Sequence, residues 1–171
     1  GKTSQQMSPK LPAAFYAHSA RTVAQALLGK TLVRRLNGRR LSGTIVETEA
    51  YCDGDAPDLA CHGERVNNAQ PTPRTAVMFG PAGVAYVYFT YGIHWMFNVV
   101  TGQTGQPNAV LVRALEPVEG IDQMMALRGE RPLTQLTNGP AKLAQAMAID
   151  KSLNGANLCA PDGVIWIEDA P

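Results

Sequence analysis

Hydrophobic and polar positions alternate along this chain with periods that change in a readable order. After ten largely polar residues, Ser19 stands where a helix N-cap belongs. The run ARTVAQALLG then places Val23, Ala26 and Leu27 on one helical face, with Gly29 at the left-handed position that follows a helix. Next come two β-prone runs, TLVRRL and RRLSGTIVETEAY, around Asn37-Gly38, a pair that tolerates positive φ at both central turn positions and so predicts a tight hairpin. Residues 52–75 are rich in Gly, Pro, Asp and Asn and read as a long surface excursion, which in a compact domain is functional or disordered. VAYVYFT and IHWMFNVV predict a second hairpin around a two-residue turn, Tyr91-Gly92. A further strand, NAVLVRAL, is expected to end at Glu116-Pro117. Two helices should follow: GIDQMMALRG, and AKLAQAMAI with Pro140 at its first position, before a short closing strand, VIWIE. There are no internal repeats and no linker that would divide the chain. The expected architecture is α+β: one domain over residues 11–171 after a flexible segment 1–10, with a curved, largely antiparallel sheet flanked by helices.

Composition narrows this picture. The chain has 171 residues, 45% hydrophobic and 17% charged, enough to bury one core and too apolar for a disordered segment. Three cysteines without a CxxC pair fit neither a disulfide framework nor a structural zinc site. No apolar run approaches the ~18–20 residues of a membrane span. The first ten residues lack the apolar stretch of a secretory signal, so an intracellular protein is expected. The formal charge of +1 hides an uneven layout: residues 1–46 carry eight Lys or Arg and no acid, and residues 47–64 carry six acids and no base. Residues 65–115 have three Arg and again no acid, so an anion-binding face is compatible with the near-neutral sum.

Several residues could carry chemistry. In the strand TIVETEAY, period-two alternation places Ile45, Glu47, Glu49 and Tyr51 on one side, and Val46, Thr48 and Ala50 on the other. Alternate acids on a strand commonly form a solvated face, but a carboxylate beside an aromatic can equally serve as a general base next to a flat ligand. Tyr91 is bulky for a hairpin tip, so it either packs back on its own domain or projects as a wedge between base steps. Tyr86 and Tyr88 share a strand face, as core or as a stacking platform. His62 is adjacent to Cys61, a poor geometry for one metal ion, and its ring could instead stack on a heteroaromatic. Arg113 and Asn98 interrupt apolar strands, and each faces either a rim or a polar partner. No P-loop, dinucleotide fingerprint or nucleophile triad is present.

Taken in order, ETEAY, His62, TPRTAVMFGPAGVAYVYFTYG, HWMFNVV and VLVRALEP resemble the alkyladenine (3-methyladenine, or N-methylpurine) DNA glycosylase family, from about Leu28 to Ile167. The resemblance implies a monofunctional enzyme that flips a damaged purine out of duplex DNA and hydrolyses its N-glycosidic bond, leaving an abasic site. It implies no cofactor and no metal, duplex DNA as the partner, and a monomer located in the cytoplasm with the nucleoid if the source is bacterial. By the same resemblance Glu49 is the general base and Arg113 fixes the water and the carboxylate. Tyr51 and Tyr88 wall the base pocket, and His62 stacks on the base and reads it. Asn98 disfavours undamaged guanine, and Tyr91 fills the vacated place in the duplex. Between His62 and Thr72 this chain has GERVNNAQP, longer than the compact link of the family. Family members also continue past the position matching Pro171 with a stretch whose backbone approaches the catalytic water.

The physics of these residues is compatible with those roles. Alternate strand positions lie about 6–7 Å apart, so Glu49 can address the sugar while Tyr51 lies against the base. An alkylated purine is cationic, and aromatic walls attract it by about 0.5–2 kcal/mol. Flipping costs a few kcal/mol, less for weakened pairs. Two other classes are weighed: a non-catalytic nucleic-acid-binding module, disfavoured by a carboxylate in its groove, and a nucleoside hydrolase, to which a tip aromatic is useless. Arg34, Arg35, Arg39, Arg40 and Arg74 are the expected phosphate contacts. With a net charge of only +1, binding to undamaged DNA should be weak and lost early as salt rises.

Overall fold

The computed structural model describes residues 9–51, 76–90 and 94–169. Two short helices, α1 (Ala13–Tyr16) and α2 (Ala20–Leu27), lead into strands β1 (Thr31–Leu36) and β2 (Arg39–Tyr51). A 3-10 turn at Ala76–Phe79 precedes β3 (Ala85–Thr90), β4 (His94–Val100) and β5 (Ala109–Glu119). Helices α3 (Ile121–Arg128) and α4 (Pro140–Ala146) follow, and β6 (Ile165–Glu168) completes the order. The strands form one curled sheet, β3-β4-β5-β2-β1-β6, with every neighbouring pair antiparallel. The architecture is α+β, as the sequence pattern predicts.

Local chemistry explains the element ends. Ser19 caps α2, its Oγ accepting from the Thr22 amide at 3.2 Å. The helix buries Ala20, Val23, Ala24 and Leu27 and leaves Ala26 exposed. The inward stripe therefore includes Ala24 rather than Ala26, because at about 3.6 residues per turn position 26 falls well off the line through 20, 23, 24 and 27. Asn37 and Gly38 adopt φ of +53° and +78°, the double positive-φ turn expected of Asn-Gly, and Leu36 pairs with Arg39 across it. At the second hairpin the last pair is Thr90 with His94, so three residues separate the paired ends instead of two. Pro140 begins α4 as predicted.

β5 does not stop at Glu116-Pro117 but continues to Glu119. The reason is the direction of its backbone groups. Leu115 donates its N–H away from β2, to the Thr137 carbonyl at 3.0 Å, and residues two apart on a strand point the same way. Pro117 therefore lacks an N–H where the β2–β5 ladder needs none. Opposite it lies Gly43, where a Cβ would come within 3.0 Å of both the Glu116 carbonyl and the Leu115 Cβ. The absence of a side chain at Gly43 lets the two strands approach.

The helices cover one face of the sheet and bury Leu27, Leu32, Leu41, Ile45, Phe97 and Leu143 among others. Each such side chain stabilises the fold by about 1.5–3 kcal/mol relative to exposure. The opposite face holds Glu49, Asn98 and Arg113.

Candidate active site

Register places those residues together. Tyr86 pairs with Asn98, Asn98 with Leu111, and Leu111 with Glu49, a line across β3, β4, β5 and β2. Cross-strand partners share a face, and their chain neighbours Val87, Phe97, Val99, Val110 and Val112 all belong to the helix-covered core. Tyr88, two residues from Tyr86, and Arg113, two from Leu111, stand on the same open face by alternation.

Simple alternation along β2 is broken, however. Ile45, expected beside Glu49 and Tyr51, is fully buried in the core instead, and Val46, expected on the opposite side, is 46% exposed. The cause is a bulge. Ile45 pairs with Leu115, Glu47 with Ala114 and Thr48 with Val112, which leaves Val46 without a partner on β5 and Arg113 without one on β2. An extra residue in a strand reverses its phase. Beyond the bulge Thr48 turns inward, its Oγ1 donating to the Ala24 carbonyl of α2 at 2.8 Å, and Glu49 and Tyr51 turn outward.

Arg113, raised out of its own ladder, donates from Nη1 to Glu49 Oε1 at 2.9 Å. Both side chains keep more than 40% of their surface exposed, so water reaches the carboxylate. A carboxylate offers about four acceptor positions, and a single arginine N–H leaves others open. The Tyr51 phenol pKa is pushed up to about 12, first by burial, then by the charge of Glu49, hydrogen bonding to it and the proximity of Tyr88, with Arg113 opposing. Tyr51 is therefore a neutral hydrogen-bond donor beside the carboxylate at any physiological pH. Tyr88 lies with its ring centroid 5.3 Å from that of Tyr86. Asn98 is 1% exposed and donates from Nδ2 to the Tyr86 carbonyl at 3.2 Å. The structure thus brings together Glu49, Tyr51, Tyr88, Asn98 and Arg113. A carboxylate anchored by an arginine, open to water and flanked by aromatic rings can take a proton from water next to a flat ligand.

His62, Tyr91 and Arg74 lie outside the described residues, as do Cys52 and Cys61. Among the described residues no three His, Cys, Asp or Glu side chains come together to hold a metal ion, and no helix is long and apolar enough to cross a membrane.

The four arginines around the Asn37-Gly38 turn have different fates. Arg34, expected at a phosphate, faces the helices and is 8% exposed. Its guanidinium donates to the carbonyls of Met147, Ala148, Arg35 and Val164 at 2.9–3.3 Å. Alternation with Leu32 and Leu36 forces it inward, and four carbonyls satisfy it there. Arg40, also expected at a phosphate, is bidentate to Glu168 at 2.7 and 2.8 Å and bonds Glu119 at 2.7 Å, so each of its three guanidinium nitrogens already has a carboxylate partner. Arg39 is exposed and paired with Asp122 and Gln123. Arg35 alone of the four has no carboxylate or carbonyl acceptor among the described residues, and its Cζ lies 5.0 Å from the Trp166 ring centroid.

Two residues that support this site, one on the same face and one behind it, carry no role in the sequence pattern. Tyr86 was seen to share a face with Tyr88 but was assigned no role; its carbonyl holds Asn98 and its ring abuts Tyr88. Thr48 was grouped only with apolar neighbours. The signal available was its hydroxyl, an odd presence on an otherwise apolar side.

The chain was also compared with known proteins. Residues 14–171 match the family model described as methylpurine-DNA glycosylase (MPG). Among similar curated proteins, one from Carboxydothermus hydrogenoformans is 55% identical over 148 residues, covering 86% of this chain and 74% of its own length. Another from Natranaerobius thermophilus is 48% identical, covering 88% and 75%, and one from Methanocella arvoryzae is 46% identical, covering 95% and 78%. Each of the three bears the name "Putative 3-methyladenine DNA glycosylase". The match to the family model over residues 14–171 and the relatives at 46–55% identity over most of their length lead to one assignment: this chain belongs to the methylpurine-DNA glycosylase family.

Proposed function

We propose that this chain is a monofunctional DNA glycosylase of base excision repair that acts as a monomer on duplex DNA. It flips alkylated or deaminated purines (3-methyladenine, 7-methylguanine, and also hypoxanthine and ethenoadenine) out of the helix and hydrolyses the N-glycosidic bond. The supporting observation is the half-open ion pair: Glu49 is held by Arg113 at 2.9 Å yet remains exposed to water, with Tyr51 beside it.

In this reading the flipped base lies against Tyr51 and Tyr88, and its C1′ faces Glu49. The carboxylate takes a proton from water as the water oxygen bonds to C1′ and the bond from C1′ to the purine nitrogen breaks. The electron pair of that bond goes to the purine. A base alkylated at N3 or N7 leaves neutral, because the pair cancels its positive charge, whereas a neutral lesion needs a proton as it departs. Negative charge on Glu49 stabilises the oxocarbenium-like sugar. Arg113 keeps the carboxylate oriented through one oxygen and leaves acceptor positions free for the water. Asn98, His62 and Tyr91 act as guanine filter, base reader and duplex wedge. Arg35 and Arg74 contact phosphates; Arg39 can do so only by exchanging its exposed partner, Asp122. In a bacterium such an enzyme works in the cytoplasm on the nucleoid.

The test is direct. Duplex oligonucleotides carrying each of the four lesions are incubated with the protein and scored for alkali-labile abasic sites. Product from the alkylated bases is expected. Lesion binding without product from any of the four would refute the enzyme reading in favour of a binding module.

A further inference from the structure

The bulge in β2 is what turns Glu49 toward Arg113, and the end of α2 together with the residues that follow it grips the strand on both sides of the bulge. Before the bulge, Ile45 makes two backbone bonds to the chain leaving the helix: it accepts from the Gly29 amide at 2.9 Å and donates to the Lys30 carbonyl at 2.8 Å. After the bulge, the Thr48 hydroxyl donates to the Ala24 carbonyl at 2.8 Å. Ala24 O is available because the Leu28 amide turns to Gln25 O instead, leaving an orphan carbonyl at the helix end. Between the two grips, Val46 and Glu47 are exposed. Thr48 is also the first residue of the re-registered stretch, pairing with Val112 before Glu49 pairs with Leu111.

We propose that Thr48 is a positioning residue for Glu49: its hydroxyl, bonded to the end of α2, holds the phase of β2 beyond the bulge and so aims the carboxylate at Arg113. Val46 and Glu47 are exposed and lie outside the core cluster, so neither anchors the strand against rotation from the core side, and a slip of one residue would point Glu49 into the core. The ladder bonds to β5 secure the stretch sideways. Thr48 supplies the bond toward the helix layer that distinguishes inward from outward. This inference rests on the glycosylase reading, and it predicts an effect on chemistry rather than on affinity.

Thr48→Val keeps the shape of the side chain and removes the donor. In single-turnover cleavage of a duplex containing 7-methylguanine, at saturating enzyme, T48V should be slower by ~10-fold or more, since small misplacements of a catalytic group cost up to ~100-fold. The dissociation constant for the same duplex should stay within about 3-fold. Thr48→Ser, which restores the hydroxyl, should recover most of the rate. A purely structural role gives another pattern: a lower melting temperature, with wild-type cleavage by the molecules still folded. That result, or a serine variant no faster than valine, would overturn the proposal. Should T48V fail to fold, Thr48→Ala at a temperature below its own transition replaces it, and a wild-type rate there is equally fatal. A wild-type chain that yields no abasic product sinks the glycosylase reading; a cleaving wild type with an indifferent T48V sinks only the role of Thr48.

Discussion

Two arginine–carboxylate pairs involve β2, both on the face that the helices leave open, and they are built in opposite ways. Arg40 has all three of its guanidinium nitrogens engaged, by Glu119 and by both oxygens of Glu168. Glu168 is 4% exposed and also accepts the Trp166 indole N–H, while Glu119 accepts from Ser42 at 2.6 Å. Arg113 and Glu49 share one bond, and each is about two-fifths exposed. With every guanidinium nitrogen and both Glu168 oxygens already bonded, the first cluster has little left to offer a ligand, and it joins β2, β5 and β6. An unsaturated pair at the surface contributes little to stability and keeps acceptor sites for water. The same chemical groups are thus tied up between strands at one end of β2 and left open to water at the other.

The comparison breaks most sharply in activity. Glu49→Gln should reduce cleavage by ~1000-fold or more, within the range for loss of a general base plus its charge, with binding to a lesion duplex retained. Glu168→Gln should leave cleavage by folded protein within about 3-fold of wild type. Wild-type turnover by E49Q would remove it as the base.

Stability should respond in the reverse order. In urea, Glu168→Gln should cost about 2–3 kcal/mol, less than the ~3–5 of a fully buried pair because Arg40 is one-third exposed; Glu49→Gln should cost less than about 1. The acid limb follows from the same network. Burial alone would raise the Glu168 pKa, but hydrogen bonds from Arg40 and Trp166 together with the Arg40 charge hold it below the ordinary carboxylate range. Its folded pKa is thus below its unfolded one, so the stabilisation is present above the unfolded value, about pH 4.3, and is lost as pH falls through the folded value. The E168Q unfolding curve should be flatter than wild type between about pH 5 and pH 3. Equal slopes would place the acid sensitivity elsewhere.

Tyr51→Phe sharpens the contrast within the site. The ring remains as a wall, while the neutral phenol beside Glu49 is lost, so cleavage should fall by about 3–10-fold with lesion affinity little changed. With a Tyr51 pKa of about 12, the wild-type profile should carry no inflection from this phenol below about pH 10. The smallest effect is expected from Arg35→Ala. Binding to undamaged duplex should weaken a few-fold, and the salt-dependence slope should fall by about 1, with single-turnover cleavage unaltered. A slope equal to wild type would free Arg35 of any phosphate.

Much of this was legible in residue order because it depends on local rules. Asn37-Gly38 dictates its turn, Ser19 its cap and Pro140 its helix start through chemistry confined to a few neighbouring atoms. The grouping of Glu49, Tyr51 and Arg113 was also readable, since ETEAY and VLVRALEP carry it as motifs. What alternation missed was non-local. Whether Val46 forms a bulge depends on β5 opposite it and on α2 behind it. Arg34 and Arg35 are adjacent and chemically identical, and only the sheet decides that one is enclosed by carbonyls and the other lies on an indole.

The order of strands has a consequence in time as well as in space. Arg40 and Glu168 are 128 residues apart, and β1 lies between β2 and β6, so this edge of the sheet waits for a strand made much later. During synthesis, helix α2 and the β1–β2 hairpin can form early, with Arg40 still hydrated. Closure by β6 is a high-contact-order step with a loop-entropy barrier of its own, and it should be among the slow events of folding. Until it occurs, the outer edge of β1 is unpaired, and nascent or stalled chains are open to strand exchange with one another.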